Sequence, residues 1–125
     1  MKAYEQPGLL REALDYIARL TPDHPDFGDK NVYLGEFGIP ENEFTSEQVQ
    51  LSIRRTVETA RQWGCPWAVY WQLYCNEIGK PGVKVPVRRN GDMRGFWLIR
   101  PDGTKSWAWR YFRGLMQSRT AAPSD

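Results

Sequence analysis

Two cysteines and a single histidine in 125 residues leave little room for metal or thiol chemistry. His24 sits in a Pro/Asp-rich stretch, PDHPDFGD, with no partner at metal-ligand spacing, which points to a surface role. Cys65 and Cys75 flank a strand-like segment. Ten extended residues span about 33 Å, whereas a disulfide needs Cα atoms about 4.4 to 6.8 Å apart, so the two cannot pair with each other. Two free thiols fit a reducing compartment, or a piece of a longer secreted protein. The glycines are scattered, with neither a phosphate loop nor a dinucleotide fingerprint. The longest apolar run, Trp67 to Trp71, is far short of a membrane span. The start, MKAYEQPGLLREAL, lacks the continuous apolar segment of a signal peptide. No cofactor and no membrane partner is expected.

Aromatic residues, by contrast, are plentiful: 6 Trp, 6 Tyr and 5 Phe. That many flat faces serve a dense core or a binding surface. The net charge of +2 is unevenly spread, with −4 over residues 1–62 and +6 over residues 63–125. Such asymmetry occurs in nucleic-acid-binding chains, but at this modest overall charge solvated faces explain it better.

The chain alternates helix-like and strand-like segments. A first helix is expected near Pro7, with Leu9, Leu10, Ala13, Leu14 and Ile17 forming one apolar stripe and Thr21-Pro22 ending it. Asn31 to Gly38, NVYLGEFG, reads as a strand. Thr45 and Gln48 are spaced as a capping box, opening a second helix that buries Val49, Ile53, Val57 and Ala60 and stops at Gly64. After Pro66, WAVYWQLY reads as a second strand that is apolar on both faces, the pattern of buried parallel strands. Strand, helix and strand in about 35 residues make a βαβ unit. Within VKVPVRRNGDMRGFWLI, Asn90-Gly91 favours a tight hairpin turn, and Pro101-Asp102-Gly103 marks another turn. A third helix is expected after Ser106, packing Trp109, Phe112, Leu115 and Met116. The tail from Ser118 reads as disordered, which leaves residues 1–117 as one domain. Two parallel strands expose unpaired edges, so the fold class is α/β, part of a larger sheet completed by absent strands or by further copies.

Two residues stand out as chemistry-bearing. Glu36 is a carboxylate near the C-terminal end of a parallel strand, where α/β folds place their sites. Gly35 and Gly38 on either side permit close approach of a ligand. A loop-capping or arginine-paired glutamate would leave the same trace. Trp71 can offer its indole as a platform for a sugar ring, with Gln72, Asn76 and Glu77 to engage hydroxyls. A core tryptophan has the same pattern.

VYLGEFGIPE, then WAVYWQLYCNE, then GFWLIRPDGTKSWAWRYF, resemble in order and spacing the C-terminal quarter of a cellulase-type glycoside hydrolase. The resemblance is to the family 5 group and its relatives, retaining enzymes built on (β/α)8 barrels. It implies that the chain holds the last two βα units of a TIM barrel with the preceding helix and a β-hairpin excursion. It also implies that Glu36, ending strand seven, is the catalytic nucleophile and that Trp71, ending strand eight, is the sugar-stacking platform. Phe37, Asn76 and Glu77 are weaker candidates for substrate contacts. A retaining mechanism needs a second carboxyl about 5 to 5.5 Å away. In such enzymes it follows an Asn at the end of strand four, upstream of anything here, and Asn76-Glu77 does not take that role. A barrel of this kind runs to about 250 residues, so the resemblance describes a C-terminal part lacking its acid/base residue.

The expected activity is therefore hydrolysis of O-glycosidic bonds in a β-linked glycan, with a polysaccharide or oligosaccharide as substrate and little turnover by this chain alone. The alternative is a non-catalytic module holding a carbohydrate or single-stranded nucleic acid through exposed aromatics and the basic stretch VRRNGDMRG. A third reading is an interaction fragment that self-associates through unpaired strand edges.

Overall fold

A computed structural model describes residue 6, residues 8–84 and residues 89–120. The chain is mixed α/β, in the order α1 (Leu9–Leu20), β1 (Leu34–Phe37), α2 (Ser46–Trp63), β2 (Ala68–Tyr70) and α3 (Trp107–Thr120). It divides into two compact units. One holds the described residues up to Gly38 together with Leu51–Trp71, and the other holds Ile39–Gln50 together with the described residues from Gln72 onward.

In the first unit, α1 runs up to Thr21, as the Thr21-Pro22 break requires. Pro7, where its start was expected, lies outside the described residues. Of the anticipated stripe only Leu14 is buried; Leu9 and Ile17 are exposed. The rest of the unit's core comes from α2, where Ile53, Val57, Ala60 and Trp63 are buried. The Trp63 indole N–H donates to Asp15 Oδ1 at 2.8 Å, which satisfies the one polar atom of a buried tryptophan. Gly64 ends α2 at a φ of 89°, a conformation open to glycine, and the Cys65 N–H closes on the Ala60 carbonyl at 2.9 Å. Cys65 and Cys75 are free thiols. Burial pushes the Cys65 thiol up, partly opposed by the Lys30 ammonium.

β1 and β2 pair in parallel, Leu34 opposite Ala68 and Phe37 opposite Tyr70, with an irregularity between. Both strands are shorter than their apolar runs, and the second is not buried on both faces: Val69 is exposed, as are Trp67, Leu73 and Tyr74. A parallel strand is buried only where layers cover both of its faces. The exposure of Val69 shows that one face of β2 lacks such cover.

The second unit begins the helix with the anticipated capping box. The Thr45 N–H donates to Gln48 Oε1 at 3.1 Å, and the Gln48 N–H donates to Thr45 Oγ1 at 3.2 Å. Its core is Ile39, Val49, Met93, Trp97, Ser106 and Ala108. Asn90-Gly91 does not make a hairpin turn but opens a 3-10 turn over Asn90–Asp92. The two-residue hairpin favoured by Asn-Gly needs positive φ at both residues, and neither has it. Asn90 is committed elsewhere: its carbonyl accepts from Asn42 Nδ2 and its amide donates to Asp102 Oδ2, both at 2.8 Å. Residues 85–88, one arm of the expected hairpin, lie outside the described residues; what is present is an antiparallel bridge between Ile78 and Met93. The Pro101-Asp102-Gly103 turn forms, with Gly103 at φ 83° and its N–H donating to Arg100 O at 2.8 Å. Ser106 Oγ accepts the Trp109 N–H at 3.2 Å and caps α3. That helix buries Ala108, leaves Met116 exposed, and continues to Thr120, past the point where a frayed tail was anticipated.

Candidate functional site

Glu36 is the third residue of β1, and its side chain is exposed. Trp71 directly follows β2 and is half-buried; its N–H donates to the Phe37 carbonyl at 2.8 Å. Both therefore lie at the C-terminal ends of two hydrogen-bonded parallel strands, within one compact unit. The Phe37 and Tyr70 rings meet edge to face at 5.5 Å, so they share a face of the pair. The register irregularity between Leu34 and Phe37 takes in Glu36, and Trp71 lies just past the end of β2. A carboxylate and an indole are thus brought to one end of the strand pair.

Asn76 and Glu77 belong to the other unit. The Asn76 and Gln72 side-chain amides meet at 2.8 Å. Glu77 Oε2 accepts from Arg94 Nη1 at 2.8 Å, while Arg94 Nε donates to Glu43 Oε1 at 2.6 Å. The hydrogen bonds to Glu43, then those to Glu77, hold the Arg94 guanidinium above its ordinary range, so its charge is permanent and locally neutralised. Glu77 is engaged as a structural ion-pair partner.

A second carboxylate anchor lies near it. Glu41 binds Arg100 through two oxygens, at 2.6 Å from Nη2 and 3.1 Å from Nε, and also accepts the indole N–H of Trp97, which is 1% exposed. Neither anchor was legible in sequence, because Arg94 lies 17 positions from Glu77 and 51 from Glu43, and Arg100 lies 59 from Glu41. Asp102 is hydrogen-bonded by the Thr104 hydroxyl and N–H and by the Asn90 amide, which hold its carboxyl below the ordinary carboxylate value. Sequence reasoning also passed over the rings at the other end of the sheet. The register that sets Leu34 against Ala68 brings the preceding residues, Tyr33 and Trp67, side by side.

Among the described residues no group of three His, Cys, Asp or Glu is placed to hold a metal ion, and no helix is long and apolar enough to cross a membrane. Compared with known proteins, the chain matches no family profile, no curated protein and no solved structure.

Proposed function

We propose that this chain carries the nucleophile half of a retaining glycoside hydrolase site, as the C-terminal part of a (β/α)8 barrel acting on a β-linked glycan. One observation supports the reading above the others: Glu36 and Trp71 lie together at the C-terminal end of adjacent, hydrogen-bonded parallel strands. The Glu36 carboxylate attacks the anomeric carbon while the Trp71 indole stacks on the apolar face of the same sugar. Protonation of the leaving oxygen falls to a carboxyl group that this chain does not supply, so natural glycans turn over slowly or not at all. The nucleic-acid alternative loses support from Arg94, whose charge is balanced by Glu43 and Glu77.

An activated substrate bypasses the missing acid. The full chain is incubated with 2,4-dinitrophenyl 2-deoxy-2-fluoro-β-glucoside and, separately, with the corresponding β-mannoside. A Glu36 oxygen bonds to the anomeric carbon as the phenolate leaves with the bonding electron pair. Mass spectrometry is expected to find the fluoroglycosyl ester on Glu36 and none in Glu36→Gln. No adduct with either sugar, or an adduct on another residue, overturns the assignment.

A further inference from the structure

α1 meets the rest of its unit along one side only. Leu14 is 2% exposed, and the neighbouring Asp15 accepts the indole N–H of the buried Trp63 of α2. The opposite side is apolar and open. Leu9 is 39% exposed, Tyr16 59%, Ile17 47% and Leu20 70%, with Ala13 exposed between them. Leu9, Ala13, Tyr16 and Leu20 recur at intervals of four, three and four residues, the spacing of a coiled-coil seam. A lone exposed leucine is ordinary surface, whereas a continuous stripe of large apolar side chains marks a contact.

Two features of the stripe identify what covers it. The first is size. An antiparallel second copy of α1 sets Ala13 against Tyr16 and Leu9 against Leu20, so a small side chain always faces a large one across the middle layers. A parallel copy sets Ala13 against Ala13 and Tyr16 against Tyr16, which leaves a gap in one layer and crowds the next, both costly.

The second is charge. One flank of the stripe carries Glu12 and Arg19, both exposed, and among the described residues neither has an ion-pair partner. Arg11 and Asp15 pair with each other farther round the helix, at 3.9 Å. Two-fold symmetry lays the flank against itself, so an antiparallel copy brings each Glu12 within about two residues, or about 3 Å along the axis, of an Arg19. A parallel copy places Glu12 beside Ile17 instead. A partner of one charge sign would satisfy only one of the two residues; the flank is complementary to itself. We infer that α1 is a dimerisation helix, pairing antiparallel with α1 of a second copy of this chain through Leu9, Ala13, Tyr16 and Leu20, with Glu12 and Arg19 bridging the rim. The contact is closed by its two-fold axis, so it stops at the dimer, and it uses neither Glu36 nor Trp71. Its 12 helical residues make a small interface, of the weak and readily reversed class.

Sedimentation equilibrium of the full chain tests this, with Val69→Lys in every sample to suppress pairing through strand edges. A monomer–dimer equilibrium is expected. Glu12→Arg and Arg19→Glu each turn both rim pairs from attraction to repulsion, and each is expected to weaken the dimer about tenfold. Mixed in equal amounts, the two variants are expected to recover the parent affinity as a heterodimer, because every arginine of one chain then meets a glutamate of the other. Circular dichroism checks that α1 stays folded. Should a swap lower the helix content, Leu20→Ser, at the most exposed end of the stripe, is expected to weaken the dimer about tenfold as well. A monomer at every concentration up to about 1 mM, a dimer indifferent to these substitutions, or a mixture no tighter than either swapped chain alone, overturns the inference.

Discussion

Asp102 shows how one side chain organises a turn. Its carboxylate receives the Thr104 hydroxyl at 2.7 Å, the Thr104 N–H at 2.8 Å and the Asn90 amide at 2.8 Å, all bonds that favour the charged form. Its pKa in the folded chain therefore lies below the ordinary 3.8. A depressed carboxyl contributes stability that is fully present above the unfolded value and is lost as pH falls through the folded one. The Pro101–Thr104 turn is thus expected to hold down to about pH 3.8 and loosen below it. The Thr104 amide resonance followed across an acid titration reports the midpoint, which should fall below 3.8 and vanish in Asp102→Asn. A midpoint above that value would show that the three bonds do not form in solution.

At the scale of elements, the second unit depends on one close approach of backbone to backbone. Gly95 is buried at φ 101°, and a Cβ built there lies 2.9 Å from both the Glu41 and Asn42 nitrogens, the first of which donates to the Gly95 carbonyl at 3.1 Å. Gly95→Ala must then both strain φ, at about 1–2 kcal/mol, and push apart packed backbone, at about 1–3 kcal/mol. Gly103 also has positive φ, but open space surrounds its Cβ position. Gly103→Ala is expected to cost only about 1 kcal/mol. Urea unfolding of both variants separates the terms, and equal midpoints would remove the clash from the account.

The same contrast explains what the sequence reveals of these elements. The capping box of α2, its buried stripe and its glycine stop are legible because each rests on residues within a few positions of one another. The order of strand, helix and strand follows from the same local patterning. The Asn90-Gly91 turn is misread because Asn42 and Asp102, distant in sequence, hold Asn90 in another geometry. The length and burial of β2 depend on what packs against it, and no local pattern encodes that. Glu36 and Trp71 are legible as a pair only through strand register, whereas the ion pairs of Arg94 and Arg100 have no local trace at all.

For the molecule as a whole, the strand pair poses an unmet requirement. Its apolar composition is that of a sheet covered by layers, yet among the described residues no third strand pairs with β1 or β2, and Val69 remains exposed. An outer edge without a strand partner offers main-chain donors and acceptors to any extended segment. Strand addition satisfies them and covers Val69 in one event, so the free chain is expected to associate as its concentration rises. Sedimentation velocity over a hundredfold concentration range reads this directly. Val69→Lys places a charge beside the edge and should shift the onset to higher concentration without altering helix content by circular dichroism. If the parent chain sediments as one monomeric species throughout, the edges are satisfied within the chain, and its sheet must be more complete than the β1–β2 pairing indicates.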